Sequence, residues 1–139
     1  EPNGEGAARA IKRALEMAHL DPTDIDLVNC HATSTPVGDT SEIRALKSIF
    51  GQQISRPFIQ STKTLLGHTL GAAGAIELIA AILETQHNFI HGMPNLDNPD
   101  EEMINLNIPK ETKSVKINRV LKNSFGFGGH NASIIFVKY

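Results

Sequence analysis

Only one cysteine, one tyrosine and no tryptophan occur in the 139 residues, and aromatic residues make up 5%. A single cysteine excludes an intrachain disulfide and fits a reducing compartment. Charge is nearly balanced, with 13 Lys and Arg against 15 Asp and Glu, a net charge of −2. There is no basic excess of the kind nucleic-acid binding uses, and no acidic block of the kind found in disordered tails. The longest apolar run, around residues 70–83, is too short to span a bilayer and carries Glu77. No signal peptide is visible and no initiator Met is present; "EPNGEGAARA" enters a helical pattern almost at once and reads as an excerpt from a longer chain. These absences lead us to expect a cytoplasmic protein with neither nucleic acid nor membrane as partner. Asn131-Ala132-Ser133, the one match to a glycosylation acceptor, is read as incidental.

What is present is an ordinary α/β composition, 40% hydrophobic and 20% charged, long enough for one domain over 1–139. Residues 5–20 carry Ala8, Ile11, Leu15 and Ala18 at helical spacing with Arg and Lys opposite, an amphipathic helix. "DIDLVNC" (24–30) reads as a buried strand after a turn. Asp39, with Glu42 three residues on, resembles a capping box before a helix that places Ile43, Leu46 and Phe50 on one face and stops at Gly51. "RPFIQST" (56–62) reads as a second strand and "KTLLGHTLG" as a loop. Residues 72–86 form a helix that is apolar nearly all round, expected to be buried on more than one side. Turn chemistry fills 87–102, and strands at about 119–125 and 132–138 close the chain as a hairpin around "GFGGH".

Cys30 stands beside His31, but neighbours on a strand point to opposite faces, and a Cys–His catalytic pair needs hydrogen-bond reach. Cys30 is therefore read as a small buried hydrophobe. "STKTLLGHTLGAAGAIE" (61–77) holds three ionisable groups, Lys63, His68 and Glu77, among small and apolar residues. A buried charge is costly unless paired, and Lys63 is the partner nearest to Glu77 in sequence. The alternative, Glu77 in solvent and Lys63 on a surface loop, is not separated from it by pattern. A phosphate loop is rejected because Lys63 precedes the glycines, and "GFGGHN" has Asn131 where a dinucleotide fingerprint wants glycine. His87 and His91 lack a Glu between them and make a poor metal pair. His31 and His68 both fall in loops after strands, where α/β folds place chemistry. Two imidazoles converging without a carboxylate nearby suggest paired N–H donors for a developing oxyanion.

Taken together, "VNCHATSTPVGD", "STKTLLGHTLGAAGAIE", "NLDNPDE" and "NSFGFGGHNASIIF" resemble, in order and spacing, the C-terminal half of an elongating β-ketoacyl-[acyl carrier protein] synthase of type II fatty-acid synthesis. The resemblance implies a thiolase-like α/β half: a mixed sheet, outer helices, and the apolar helix buried in the central layer of the whole molecule. It implies decarboxylative Claisen condensation of an acyl thioester with malonyl-acyl carrier protein, an acyltransferase reaction. His31 and His68 resemble the active-site histidines of the Cys-His-His type, Lys63 the lysine ordering them, and Glu77 the glutamate behind it. Thr33 and Thr35 match positions that bind the phosphopantetheine arm, and Phe127 the gating phenylalanine. Cys30 does not match the nucleophile, which lies in the N-terminal half, so the chain alone is expected to be inactive. The expected partners are acyl carrier protein, that N-terminal half, and a second full-length copy in a homodimer. No cofactor is expected, since phosphopantetheine arrives on the carrier. A polyketide ketosynthase or a non-catalytic partner resembling a chain-length factor is the alternative. Pattern and resemblance together predict that Lys63 and Glu77 lie within salt-bridge or one-water distance near His68.

Overall fold

The computed structural model describes residues 3–139. The first helix, α1 (Glu5–Ala18), starts from Gly4, whose φ is 79°. A Cβ at Gly4 would lie 2.3 Å from the Ser41 carbonyl oxygen, so only glycine permits this approach. α1 buries Ala7, Ile11 and Leu15; Ala8 and Ala18, expected on the core stripe, sit at its edge. The chain then forms β1 (Leu27–Asn29), shorter than the 24–30 run, and α2 (Pro36–Phe50). α2 begins three residues before Asp39, so the expected capping box is absent: proline's fixed φ suits the first helical turn, and Asp39 lies inside the helix. Its inner face is Ile43, Leu46 and Phe50 as expected, and Gly51 ends it with a positive φ of 53°.

β2 (Phe58–Gln60) leads into α3 (Lys63–Leu66), a single turn where a loop was expected, and then into α4 (Ala73–His87). Within the expected turn region lies β3 (Phe89–Ile90), paired antiparallel with β4 (Lys113–Ser114). The expected hairpin is present as β5 (Arg119–Phe125) and β6 (Asn131–Val137). The main sheet has the order β2-β1-β5-β6, with β1 parallel to both neighbours and β6 antiparallel to β5. Alternation along the strands divides the core. Val28, Cys30 and Leu121 pack with Ile11, Leu15, Leu46 and Phe50 of α1 and α2. Leu27 and Val120 face the other way, toward Ala81 of α4, Ile90 and Ile117.

α4 departs from the usual rule that a helix buries its apolar side. Its buried residues are Ala73, Glu77, Ala81, Glu84 and Thr85, while Ile76, Ile79 and Leu83 are exposed. Leu65, Leu66 and Leu70 are exposed just before it. The expectation of burial on more than one side thus fails within this chain, because small residues let α4 lie close on the sheet and the bulky ones are left outside. Leu65, Leu66, Leu70, Ile76, Ile79 and Leu83 thus leave apolar surface uncovered on and just before α4, and a surface of this kind marks an interface.

Leu46 is fully buried in the α1–α2 core. Leu46→Ala is expected to cost about 3 kcal/mol of stability, read as a lowered urea midpoint at unchanged slope.

Candidate active site

β1 ends at Asn29, and the next two residues separate as strand geometry requires. Cys30 is buried in the α1–α2 core, while His31 is half-buried beyond the carboxyl end of β1. Burial, followed by the nearby Glu42 carboxylate, pushes the Cys30 thiol well above its ordinary pKa, the reverse of what a nucleophile needs.

The backbone after His31 is strained: Ala32 has φ 26° and Ser34 φ 62°, conformations that non-glycine residues rarely take. Buried Glu42 of α2 clamps it. Glu42 Oε1 accepts the His31 N–H at 3.0 Å and Oε2 the Ala32 N–H at 2.8 Å. Asn123 Nδ2 donates to Oε1 at 3.1 Å, and Ser133 Oγ donates to Asn123 Oδ1 at 2.8 Å. The residue read as the capping-box partner of Asp39 is therefore the anchor of the histidine loop. Burial raises its carboxyl pKa, opposed by these backbone donors.

Lys63 opens α3 and is buried, and Glu77 sits on the sheet-facing side of α4. Lys63 Nζ lies 2.5 Å from Glu77 Oε1, so the predicted pairing is present. The same ammonium is 3.4 Å from His31 Nδ1. An ammonium can only donate, so Nδ1 must accept, and the proton of the neutral ring belongs on Nε2. His68 repeats the pattern: its Nδ1 accepts the Leu70 N–H at 3.1 Å, which assigns its proton to Nε2 as well. The two rings stand edge to face with centroids 5.7 Å apart, and Phe125 packs on His31 at 5.9 Å. Burial, then the Lys63 charge, then that of Lys122, lowers the His31 pKa to about 4. His31 is accordingly a neutral donor near pH 7.

A cavity of about 400 Å³ opens beside these groups, and its lining includes the polar Thr33, Asp39, Lys63 and His68 and the apolar Ile43 and Ile108. Thr33 Oγ1 and Thr35 Oγ1 lie 3.1 Å apart on its rim loop, with Thr35 exposed. Phe127 is fully exposed at the hairpin tip, between Gly126 and Gly128, and the ring against His31 is Phe125. The structure thus brings His31, Lys63, His68 and Glu77 together and leaves Phe127 outside. His87 is exposed at the end of α4 and His91 is buried, its Nδ1 on the Gly92 carbonyl oxygen. Among the described residues no three His, Cys, Asp or Glu side chains converge as a metal site.

Sequence reasoning missed Glu42, Asn123 and Lys122. The readable signal for Lys122 was a lysine directly after Val120 and Leu121 in the strand "RVLKNSF".

Residues 1–97 match the family described as the β-ketoacyl synthase, C-terminal domain. The chain is 49% identical over 139 residues to the 3-oxoacyl-[acyl-carrier-protein] synthase 1 of Haemophilus influenzae, covering 99% of this chain and 33% of that protein. Its fold superposes with a TM-score of 0.88 on a β-ketoacyl synthase from Burkholderia phymatum, at 40% identity over 96% of this chain and 32% of that one. It superposes with a TM-score of 0.94 on a structure of a type II polyketide acyl-carrier protein in complex with its ketosynthase bound to the hexaketide, at 32% identity, covering all of this chain and 34% of the other. The chain spans about a third of the length of the curated relatives it matches.

Glu77 is 3% exposed between two cations. Glu77→Gln is expected to destabilise the fold by about 3 kcal/mol or more, because two buried ammonium groups lose their counter-charge. A loss below about 1 kcal/mol in denaturant titration would mean that the network behaves as a solvated surface pair.

Proposed function

The chain belongs to the β-ketoacyl synthase C-terminal domain family, and on that premise we propose that it supplies the decarboxylation half of a 3-oxoacyl-[acyl carrier protein] synthase site. The observation carrying this reading is the pair of neighbouring imidazoles, each with Nδ1 occupied as an acceptor and its proton on Nε2. The substrate is a malonyl thioester carried by acyl carrier protein. As its C–COO⁻ bond breaks, CO₂ departs and the electron pair passes into the thioester as an enolate. The negative charge grows on the thioester oxygen, where the two N–H donors meet it. Preorganised donors of this kind stabilise the transition state more than the ground state. The enolate carbon then attacks the carbonyl of an acyl group held as a thioester, forming the new C–C bond and expelling a thiolate.

That acyl thioester requires a nucleophilic cysteine, and buried Cys30 does not qualify. On this reading the nucleophile belongs to a longer chain, whose remaining part also covers the exposed stripe of Ile76, Ile79 and Leu83. Thr33 in the cavity lining and Thr35 beside it serve the phosphopantetheine arm, and Phe127 on its glycine-flanked tip acts as the gate. The assembled enzyme is a cytoplasmic homodimer acting on carrier-bound acyl groups, without a cofactor of its own. Higher identity to a 3-oxoacyl-[acyl-carrier-protein] synthase than to the polyketide ketosynthase favours single elongation steps over polyketide extension.

The full-length protein carrying this sequence is expected to convert acyl- and malonyl-acyl carrier protein to the 3-oxoacyl product with release of CO₂, read by mass spectrometry. His31→Ala and His68→Ala are each expected to lower kcat by about 10²–10³. A full-length protein that binds malonyl-acyl carrier protein yet releases no CO₂ would overturn this reading in favour of a non-catalytic partner subunit.

A further inference from the structure

Lys122 lies in the middle of β5, between β1 and β6, and is 2% exposed. A lysine almost never occupies such a place without a partner. Its ammonium is 2.8 Å from Glu77 Oε2 and 3.2 Å from Ser124 Oγ, and donates a short hydrogen bond to the Asn123 carbonyl oxygen. Glu77 Oε2 has that ammonium as its partner, a charged contact at 2.8 Å. The site therefore contains two buried cations for one buried carboxylate at its centre, with Glu77 bridging them.

We propose that Lys122 is a positioning residue for the histidine pair: it occupies one oxygen of Glu77, so Glu77 meets Lys63 with the other alone, and Lys63 stays turned on His31 Nδ1. The inference rests on the condensing reading above for its catalytic meaning, but its geometry does not. With Lys63 as sole partner, Glu77 would neutralise it, leaving His31 beside a net-neutral pair. With Lys122 in place, the trio carries a net positive charge, which disfavours a proton on His31. The groups facing His31 are Lys63 from α3, Glu77 from α4, Lys122 from β5, His68 from the loop before α4, and Glu42 from α2 through the backbone. Of these, Lys63, Lys122 and His68 lower the His31 pKa and Glu77 raises it. The neighbouring Asn123 points to the opposite face and holds Glu42, so two successive β5 residues brace His31 from both sides of the sheet.

The test uses the full-length protein with isotope-labelled histidine, following His31 by NMR alongside the pH profile of kcat/KM. Lys122→Met is expected to raise the His31 midpoint from about 4 by about one pH unit and to move the acidic limb of kcat/KM with it. Lys122→Arg is expected to restore the native midpoint, because it restores the charge. A folded Lys122→Met protein with an unchanged His31 midpoint overturns the proposal and leaves Lys122 merely structural. Should Lys122→Met not fold, Lys122→Gln takes its place: it keeps a polar head without the charge and is expected to raise the His31 midpoint in the same direction, and a folded Lys122→Gln protein with an unchanged midpoint overturns the proposal. If the native protein shows no condensation at any pH, the functional reading fails, while the titration still tests the role of Lys122.

Discussion

Glu77 is a carboxylate placed beneath a helix and away from water, and it is tolerable there only because two ammonium groups meet its two oxygens. Much of the site follows from that requirement. Lys63 must open α3 in a buried position, which sets its ammonium within reach of His31 Nδ1. Lys122 must stand inside the sheet, which ties α4 to β5. The glutamate contacts no substrate in this account. It sets the places of the groups that do, and the charge those groups feel.

The same constraint explains the reversed character of α4. A helix that brings Glu77 and Glu84 to the sheet needs small residues around them, and Ala73 and Ala81 supply the close approach. Glu84 is satisfied in turn by both Gln60 Nε2–H bonds, at 2.8 and 2.7 Å, and by the His91 N–H at 2.7 Å. The bulky residues of the helix are left on the outside, where Ile76, Ile79 and Leu83 form an uncovered stripe. A polar inner face and an apolar outer face leave this helix able to pack on both sides, which agrees with the proposal that a longer chain covers the stripe.

Much of the fold was legible in the residues. The two strand runs before the histidine loops, the amphipathic α1, the inner face of α2 and the closing hairpin all follow local periodicity, and the structure keeps them with trimmed ends. The orientation of α4 was not legible, because a helix apolar nearly all round offers no face for a pattern to choose. Glu42 was misread for a related reason. Its spacing from Asp39 satisfies a local rule, whereas its real partners, the His31 and Ala32 N–H groups, are reached only by folding α2 back. Lys122 escaped because a lysine in an alternating strand ordinarily faces water, and only the covering of both sheet faces makes it buried. The Lys63–Glu77 pair was recoverable because the cost of an unpaired buried charge pointed to it and the family resemblance favoured it over a solvated Glu77, which pattern alone left open.

The central claim is that His31 and His68 each accept a hydrogen bond at Nδ1 and carry the donor proton on Nε2. Long-range ¹H–¹⁵N correlation spectra of histidine-labelled full-length protein near pH 7 measure this directly. The account predicts a bare Nδ1 and a protonated Nε2 in both rings. An imidazolium signal from either ring, or a proton on Nδ1 of either one, would contradict it.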